Sequence, residues 1–296
     1  MTWTIQSLLN WSADFFTKKK FDTPRLESEI LLAHALHLDR LSLFLQFDRP
    51  MAEAELKRYK QLIERRLTRE PIQHITQKTF FMSLEFHVEP GVFIPRPETE
   101  LLVEKTIDLS KEYFKGGTDR ETTIHFADIG TGSGCVAISL AKYLPHAKGI
   151  GIDLSEKALS IAQENAMRHH VTERVSFSQG DGLETLSSYS PSTLFHFIVS
   201  NPPYISQKET HKMDPETNFE PKEALFSGEE GLNFIQMLLN QSPPFLRENG
   251  FLLFEIGEGQ EEAIRHLTKN HPFFHPPTLF QDLNRIPRVV SLQKKG

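Results

Sequence analysis

Cysteine is almost missing from this 296-residue chain. Cys135 stands alone, so no internal disulfide and no zinc–cysteine cluster can form. Long apolar runs are missing too. No stretch of 18 or more apolar residues occurs, and the opening Met1-Thr2-Trp3-Thr4-Ile5 has no basic flank leading into an apolar segment. The expectation is neither a membrane span nor a secretion signal, and a cytoplasmic location. Internal repeats and low-complexity tracts are also absent. Basic charge is scarce where a polyanion would need it. Residues 1–78 hold 13 Lys and Arg against 10 Asp and Glu, which leaves 20 against 29 for the remainder. An acidic larger part is poorly suited to gripping duplex nucleic acid, so no direct nucleic-acid partner is expected.

What the chain does have is an ordinary globular composition, 39% hydrophobic and 24% charged, at a length that allows one large domain and a small one. Residues 1–78 read as four or five short helices, with apolar residues at three and four spacing in Ile5, Leu8, Leu9 and Trp11 and again in Leu26, Ile30, Ala33 and Leu36. The basic string Lys57, Arg58, Lys60, Arg65, Arg66 and Arg69 reads as a solvated face laced with Glu53, Glu55 and Glu64, or else as a docking face. Lys18-Lys19-Lys20 reads as a loop. Residues 79–96 read as a β-hairpin linker. From 97 onward strands at 123–129, 147–152, 174–179, 195–200, 250–256 and 287–292 alternate with helices, which predicts an α/β domain with a mainly parallel sheet covered on both faces.

The first of these strands runs into Asp128-Ile129-Gly130-Thr131-Gly132-Ser133-Gly134, and Cys135 to Ala141 continues as a helix. Glycines let the backbone approach a ligand, and the helix start offers free N–H groups to a negative group. The second strand ends on Asp153, 19 residues past Gly134, placed to accept both ribose hydroxyls of a nucleoside. A dinucleotide fingerprint wants glycine at its sixth position, and counting from Gly130 that position is Cys135. Asp128 is also an awkward neighbour for a pyrophosphate but suits an ammonium group. S-Adenosylmethionine carries an ammonium, a carboxylate and a ribose. After the third strand come Asp181 and Gly182, where Asp181 could accept a hydrogen bond from the adenine amine; an ordinary Asp-Gly turn is the rival reading.

The fourth strand, Phe195 to Ser200, ends in Asn201-Pro202-Pro203-Tyr204. Neither proline has an N–H, so the turn offers oxygens with few competing donors. The side-chain oxygen of Asn201 and the carbonyl of Pro202 or Pro203 can each accept one N–H of a planar NH2 group. Those two bonds fix the nitrogen for methyl transfer and stabilise the positive charge it develops. Tyr204 can wall the reacting centre. Both an amide and adenine carry such a group.

Further segments narrow the choice: Pro90 to Glu100 (PGVFIPRPETE), Asn218 to Leu225 (NFEPKEAL), Phe254-Glu255-Ile256-Gly257, Asp282 to Val290 (DLNRIPRVV) and Glu70 to Ile75 (EPIQHI). With the glycine loop and Asn-Pro-Pro-Tyr, the chain resembles the PrmC/HemK family of release factor glutamine N5-methyltransferases over nearly its whole length. The resemblance implies a Rossmann-like class I methyltransferase domain with a mostly parallel seven-stranded sheet at 97–296, preceded by a small helical bundle that docks the substrate protein. The implied substrate is the glutamine of the Gly-Gly-Gln loop of bacterial peptide chain release factors. Gly130, Thr131, Gly132, Ser133 and Gly134 would cradle the methionine end of the cofactor, with Asp128, Asp153, Asp181, Gly182 and Asn201 completing its site. Asn201, Pro202, Pro203 and Tyr204 would bind the glutamine, and Phe93, Pro95 and Arg96 would close over it. Related chains often carry an aromatic where this one has Gly182, so Phe177 or another ring is expected against the adenine. The alternative is an adenine-N6 methyltransferase on DNA or RNA, disfavoured by charge and by the lack of a basic recognition domain.

Overall fold

The computed structural model describes residues 2–114, 123–189, 193–208 and 213–296. The chain divides into two compact units, Met1–Lys78 and Thr79–Gly296. Among the described residues no helix is long and apolar enough to cross a membrane.

The first unit is built from α1 (Ile5–Lys18), α2 (Pro24–Leu36), α3 (Arg40–Leu45), α4 (Glu53–Leu67) and α5 (Ile72–Thr76). Thr4 caps α1 by accepting from the Ser7 N–H, and Pro24 begins α2 at a position where a missing N–H costs nothing. Apolar residues of all five helices, among them Leu9, Phe16, Leu31, Leu43, Tyr59 and Ile75, fill one core. Lys18 belongs to α1 rather than to a loop; the chain leaves the helix at Lys19 and turns at Lys20, whose φ is 60°.

The basic string of α4 is less of a solvated face than its sequence suggests. Arg66 is buried and forms a two-pronged ion pair with Glu27, Nε to Oε2 at 2.6 Å and Nη2 to Oε1 at 3.1 Å, while Nη1 donates to the Glu70 carbonyl. Arg66 and Arg69 lie over the Phe21 ring, 4.5 and 4.2 Å from its centroid, and Arg65 pairs with Glu70. Half of the string is therefore structural.

The second unit opens with a hairpin, β1 (Lys78–Phe81) and β2 (Leu84–His87), followed by α6 (Glu100–Phe114), β3 (Ile124–Ile129), α7 (Cys135–Tyr143), β4 (Ala147–Asp153) and α8 (Glu156–Arg168). Then come β5 (Val175–Gln179), α9 (Leu186–Tyr189), β6 (Phe195–Ser200), α10 (Asn233–Gln241), β7 (Leu246–Glu255), α11 (Glu261–Thr268), β8 (Thr278–Gln281) and β9 (Pro287–Gln293). Seven strands form one sheet in the order β5-β4-β3-β6-β7-β9-β8. The first five are parallel, and β9 runs antiparallel to β7 and β8. Strand β8 escapes the periodicity reading because it is a four-residue edge with no buried side chain.

Both sheet faces are covered, which is why β3, β4 and β6 are buried almost throughout. One face packs on α6, α7 and α8 through residues such as Leu102, Val136 and Ala166, the other on α9, α10 and α11 through Leu186, Ile235 and Ile264. The hairpin is tied to α8: Asn165, fully buried, accepts from His87 N–H at 2.8 Å and donates Nδ2 to the carbonyls of His87 and Ser133. One asparagine thus anchors β2 and the glycine loop together. From β3 the chain winds outward through β4 to β5, then returns to place β6 on the other side of β3. A crevice opens at such a switch point, beyond the carboxyl ends of the strands.

The buried pair in the first unit gives a direct test. Replacing Arg66 by alanine leaves the Glu27 charge buried and uncompensated, which costs about 3–5 kcal/mol. Urea unfolding should show that loss, and a variant as stable as the parent would contradict the assignment.

Candidate active site

At the switch point β3 delivers Asp128 and the glycine loop, and β6 delivers Asn201. A cavity of about 330 Å³ lies between them, within the usual range for small-molecule sites. It is lined by Asp128, Gly130, Thr131, Gly132 and Ser133 on one side, and by Asp153, Asp181 and Gly182 on another. Phe93, Pro95, Asn201 and Pro203 line it as well. A second cavity of about 140 Å³ is bounded by Phe93, Arg96, Asn201, Pro202 and Tyr204, with Ile205, Thr217, Ala224 and Leu225. Apart from Phe177, Gly134 is the one site residue named from sequence that lines neither. It has a φ of 80°, and a Cβ there would sit 3.0 Å from the side chains of Ala162 and Ile138. Gly134 therefore serves the packing of α7 on α8.

The loop's other glycines behave differently. Gly130 and Gly132 have φ of 74° and 55°, and a Cβ on either would meet nothing within 4 Å, so the backbone lies bare to the cavity. The Gly130 and Thr131 amides are held by the Ile152 carbonyl at 2.8 and 2.9 Å. Asp153 accepts from Gly132 N–H at 2.8 Å through Oδ2 and from Ser155 N–H at 2.9 Å through Oδ1. Ser155 is the N-cap of α8, which leaves Asp153 outside that role. The Asp153 carboxylate is thus fixed at the cavity wall with acceptor capacity left over.

Asp128 is fully buried. Its Oδ2 accepts from the Thr131 hydroxyl at 2.6 Å and from Ala137 N–H at 3.2 Å. Burial outweighs those bonds and, with nearby Asp153, pushes its pKa up to about 7. Burial likewise pushes the Cys135 thiol up, so this cysteine is inert.

Phe177 stands apart from the two cavities. It packs with the core on the α6–α8 side, against Gly151, and lines neither cavity. The rings that line the large cavity are Phe93 and Phe234, the latter from α10, a position no motif marked.

Around the Asn-Pro-Pro-Tyr turn, Asn201 Nδ2 donates to Thr99 Oγ1 at 3.0 Å, and among the described residues no donor reaches its Oδ1. The Tyr204 carbonyl accepts from Gln260 Nε2 at 3.2 Å. Among the described residues no hydrogen bond ends on the carbonyl of Pro202 or Pro203. The 93–96 segment is clamped by Glu220, buried, whose Oε1 accepts Arg96 Nη2 at 2.7 Å. Arg96 also donates to the Ile94 carbonyl and lies 4.9 Å from the centre of the Phe93 ring. Burial raises the Glu220 pKa and the Arg96 guanidinium opposes the rise. Sequence reasoning quoted Glu220, Thr99 and Glu255 within motifs but gave them no role, because their partners come from distant segments.

Comparison with known proteins settles the family. The PrmC N-terminal domain model matches residues 7–76, and the methyltransferase small domain model matches residues 84–221. A release factor glutamine methyltransferase of Geobacter sulfurreducens is 38% identical over 98% of this chain and 96% of its own. The chain belongs to the release factor glutamine methyltransferase family. A second relative of that name, from Chlorobaculum tepidum, is 36% identical over 98% of this chain and 97% of its own. Among solved structures, the hMettl16 catalytic domain in complex with MAT2A 3'UTR hairpin 6 aligns with a TM-score of 0.55 at 13% identity, over 70% of this chain and 74% of that one. That likeness reflects the methyltransferase fold. The chain is an enzyme of the methyltransferase class with the seven-stranded, mostly parallel sheet expected of it.

Proposed function

We propose that this protein methylates the N5 amide nitrogen of the glutamine in the Gly-Gly-Gln motif of bacterial peptide chain release factors, in the cytoplasm, with S-adenosylmethionine as donor. One observation carries the reading: among the described residues Asn201 is the single polar side chain that lines both cavities, so it stands where a cofactor space and a substrate space meet. The family membership supports a glutamine amide over adenine as acceptor.

The residues of the large cavity fit S-adenosylmethionine. Bare backbone at Gly130 and Gly132 leaves room for its amino-acid end, and buried Asp128 offers a carboxylate to its ammonium. Asp153, already fixed by two N–H donors, would take the ribose hydroxyls. Asp181 would meet the adenine amine, and Phe234 is the ring available at the base. When bound, the cofactor supplies an electrophilic methyl group on a sulfonium.

The chain's own contribution is to the amide. Oδ1 of Asn201 and a carbonyl of Pro202 or Pro203 accept its two N–H groups, which orients the nitrogen and stabilises the positive charge that builds on it. Phe93 and Tyr204 wall the small cavity and exclude water, with Arg96 and Glu220 holding Phe93 in place. The helical unit would dock the body of the release factor.

Asn201→Ala should lower methyl transfer from labelled S-adenosylmethionine to a release factor by roughly 10²-fold or more, with cofactor affinity nearly unchanged. Turnover within a few-fold of the parent, or label going only to nucleic acid, would overturn the reading. Asp128 supplies a pH test. Its pKa is raised to about 7, so it is ionised above that pH and neutral below it. A cationic ligand binds the ionised form, so calorimetric affinity for S-adenosylhomocysteine, which keeps the ammonium, should fall up to about tenfold per unit as pH drops below 7. Asp128→Asn should bind weakly with a flat profile. A parent profile that is itself flat would remove Asp128 from this role.

A further inference from the structure

The proline-locked turn explains why acceptor atoms gather there. It does not explain which end of the Asn201 carboxamide faces the cavities. Rotated by half a turn, that group would present two donors where an acceptor is needed. Behind it lies a buried carboxyl group that the mechanism above leaves without a task. β7 ends on Glu255, 1% exposed, with Oε2 unpaired among the described residues. The hydroxyls of Thr99 and Tyr204 are the polar groups that act on this carboxyl group to favour its ionised form. Thr99, also 1% exposed, is the acceptor for Asn201 Nδ2.

We propose that Glu255 is a positioning residue that sets the direction of the chain Asn201–Thr99–Glu255 and so turns the Asn201 oxygen toward the substrate amide. An ionised carboxylate only accepts. The Thr99 hydroxyl has one hydrogen, and giving it to the Glu255 carboxylate leaves only lone pairs for Asn201. Asn201 must then show Thr99 its NH2 group, and Oδ1 is left for the substrate. The Tyr204 hydroxyl is drawn back to the same carboxylate while Tyr204 lines the small cavity. With Glu255 protonated, or replaced by a carboxamide, the chain can run in either direction and the selection is lost. The inference rests on the reading of Asn201 as the acceptor for the substrate amide.

The groups facing Glu255 come from three elements. Glu98, beside Thr99, raises its pKa, and Arg288 of β9 lowers it; Tyr204, itself facing Arg96 and Arg288, stands on the loop after β6. Burial dominates and pushes the carboxyl up to about 7. The ordering form is the ionised one, so it is present above that pH and lost below it.

The test compares kcat at saturating S-adenosylmethionine and release factor, from pH 6 to 8.5, for the parent, Glu255→Gln, Thr99→Val, Thr99→Ser and Asn201→Ala. Saturating cofactor removes the separate titration of Asp128. The parent should show an acid limb near pH 7. Glu255→Gln should lose roughly 10–100-fold in kcat, with KM for the release factor changed only a few-fold, and should lose the acid limb. Thr99→Val should match that loss and Thr99→Ser should restore most of it, with S-adenosylhomocysteine affinity kept in all. Should Glu255→Gln fail to fold, as lost cofactor affinity would reveal, the two Thr99 variants decide alone. Parent-like kcat in Glu255→Gln or in Thr99→Val, beside a crippled Asn201→Ala, overturns the inference and leaves the function standing. Parent-like turnover in Asn201→Ala overturns the function itself.

Discussion

A turn whose two central residues cannot donate hydrogen bonds is the constraint on which the site depends. Pro202 and Pro203 remove two N–H groups from the end of β6, so what remains there is oxygen. The carbonyl of Tyr204 is taken by Gln260, and Asn201 turns its nitrogen to Thr99. Among the described residues, Asn201 Oδ1 and the carbonyls of Pro202 and Pro203 are then left as acceptors. A neutral amide nitrogen is a weak nucleophile, and acceptors preorganised around it stabilise its developing charge without rearranging in the reaction.

The sheet makes that corner useful by placing it against the large cavity. Because β6 pairs with β3, the residue after β6 and the loop after β3 leave the sheet side by side. The Ser200 hydroxyl donates to the Ile129 carbonyl at 2.7 Å and ties the two strand ends together just before they diverge. Around this junction sit three buried carboxyl groups, Asp128, Glu220 and Glu255, each with its pKa raised by desolvation. Carboxyl groups kept in apolar surroundings despite that cost concentrate where orientation and charge serve chemistry.

Much of this was legible in the sequence, for physical reasons. Strands buried on both faces write themselves as apolar runs, so β3, β4 and β6 stood out; β8, an exposed edge, did not. Residues whose chemistry acts locally, such as Asp153 at a strand end or the paired prolines, carried their meaning in their neighbours. Glu255, Glu220 and Thr99 did not, since their partners lie 51, 124 and 102 residues away in sequence, at Tyr204, Arg96 and Asn201. Of the expectation of Phe177 or another ring near the base, Phe177 packs against Gly151 beside the core and lines neither cavity, whereas Phe234 from a helix lines the large one, because a strand residue's face is known only once the register is. Arg66 looked solvated because the helical pattern cannot reveal a buried partner on another helix.

The most direct measurement is a crystal structure of the enzyme with S-adenosylhomocysteine and a release factor, read at the acceptor glutamine. The account predicts the glutamine amide nitrogen in the small cavity, within about 2.7–3.2 Å of Asn201 Oδ1 and of a Pro202 or Pro203 carbonyl, facing the sulfur across the junction of the two cavities. A glutamine bound elsewhere, or an Asn201 that meets it with its NH2 group, would contradict it.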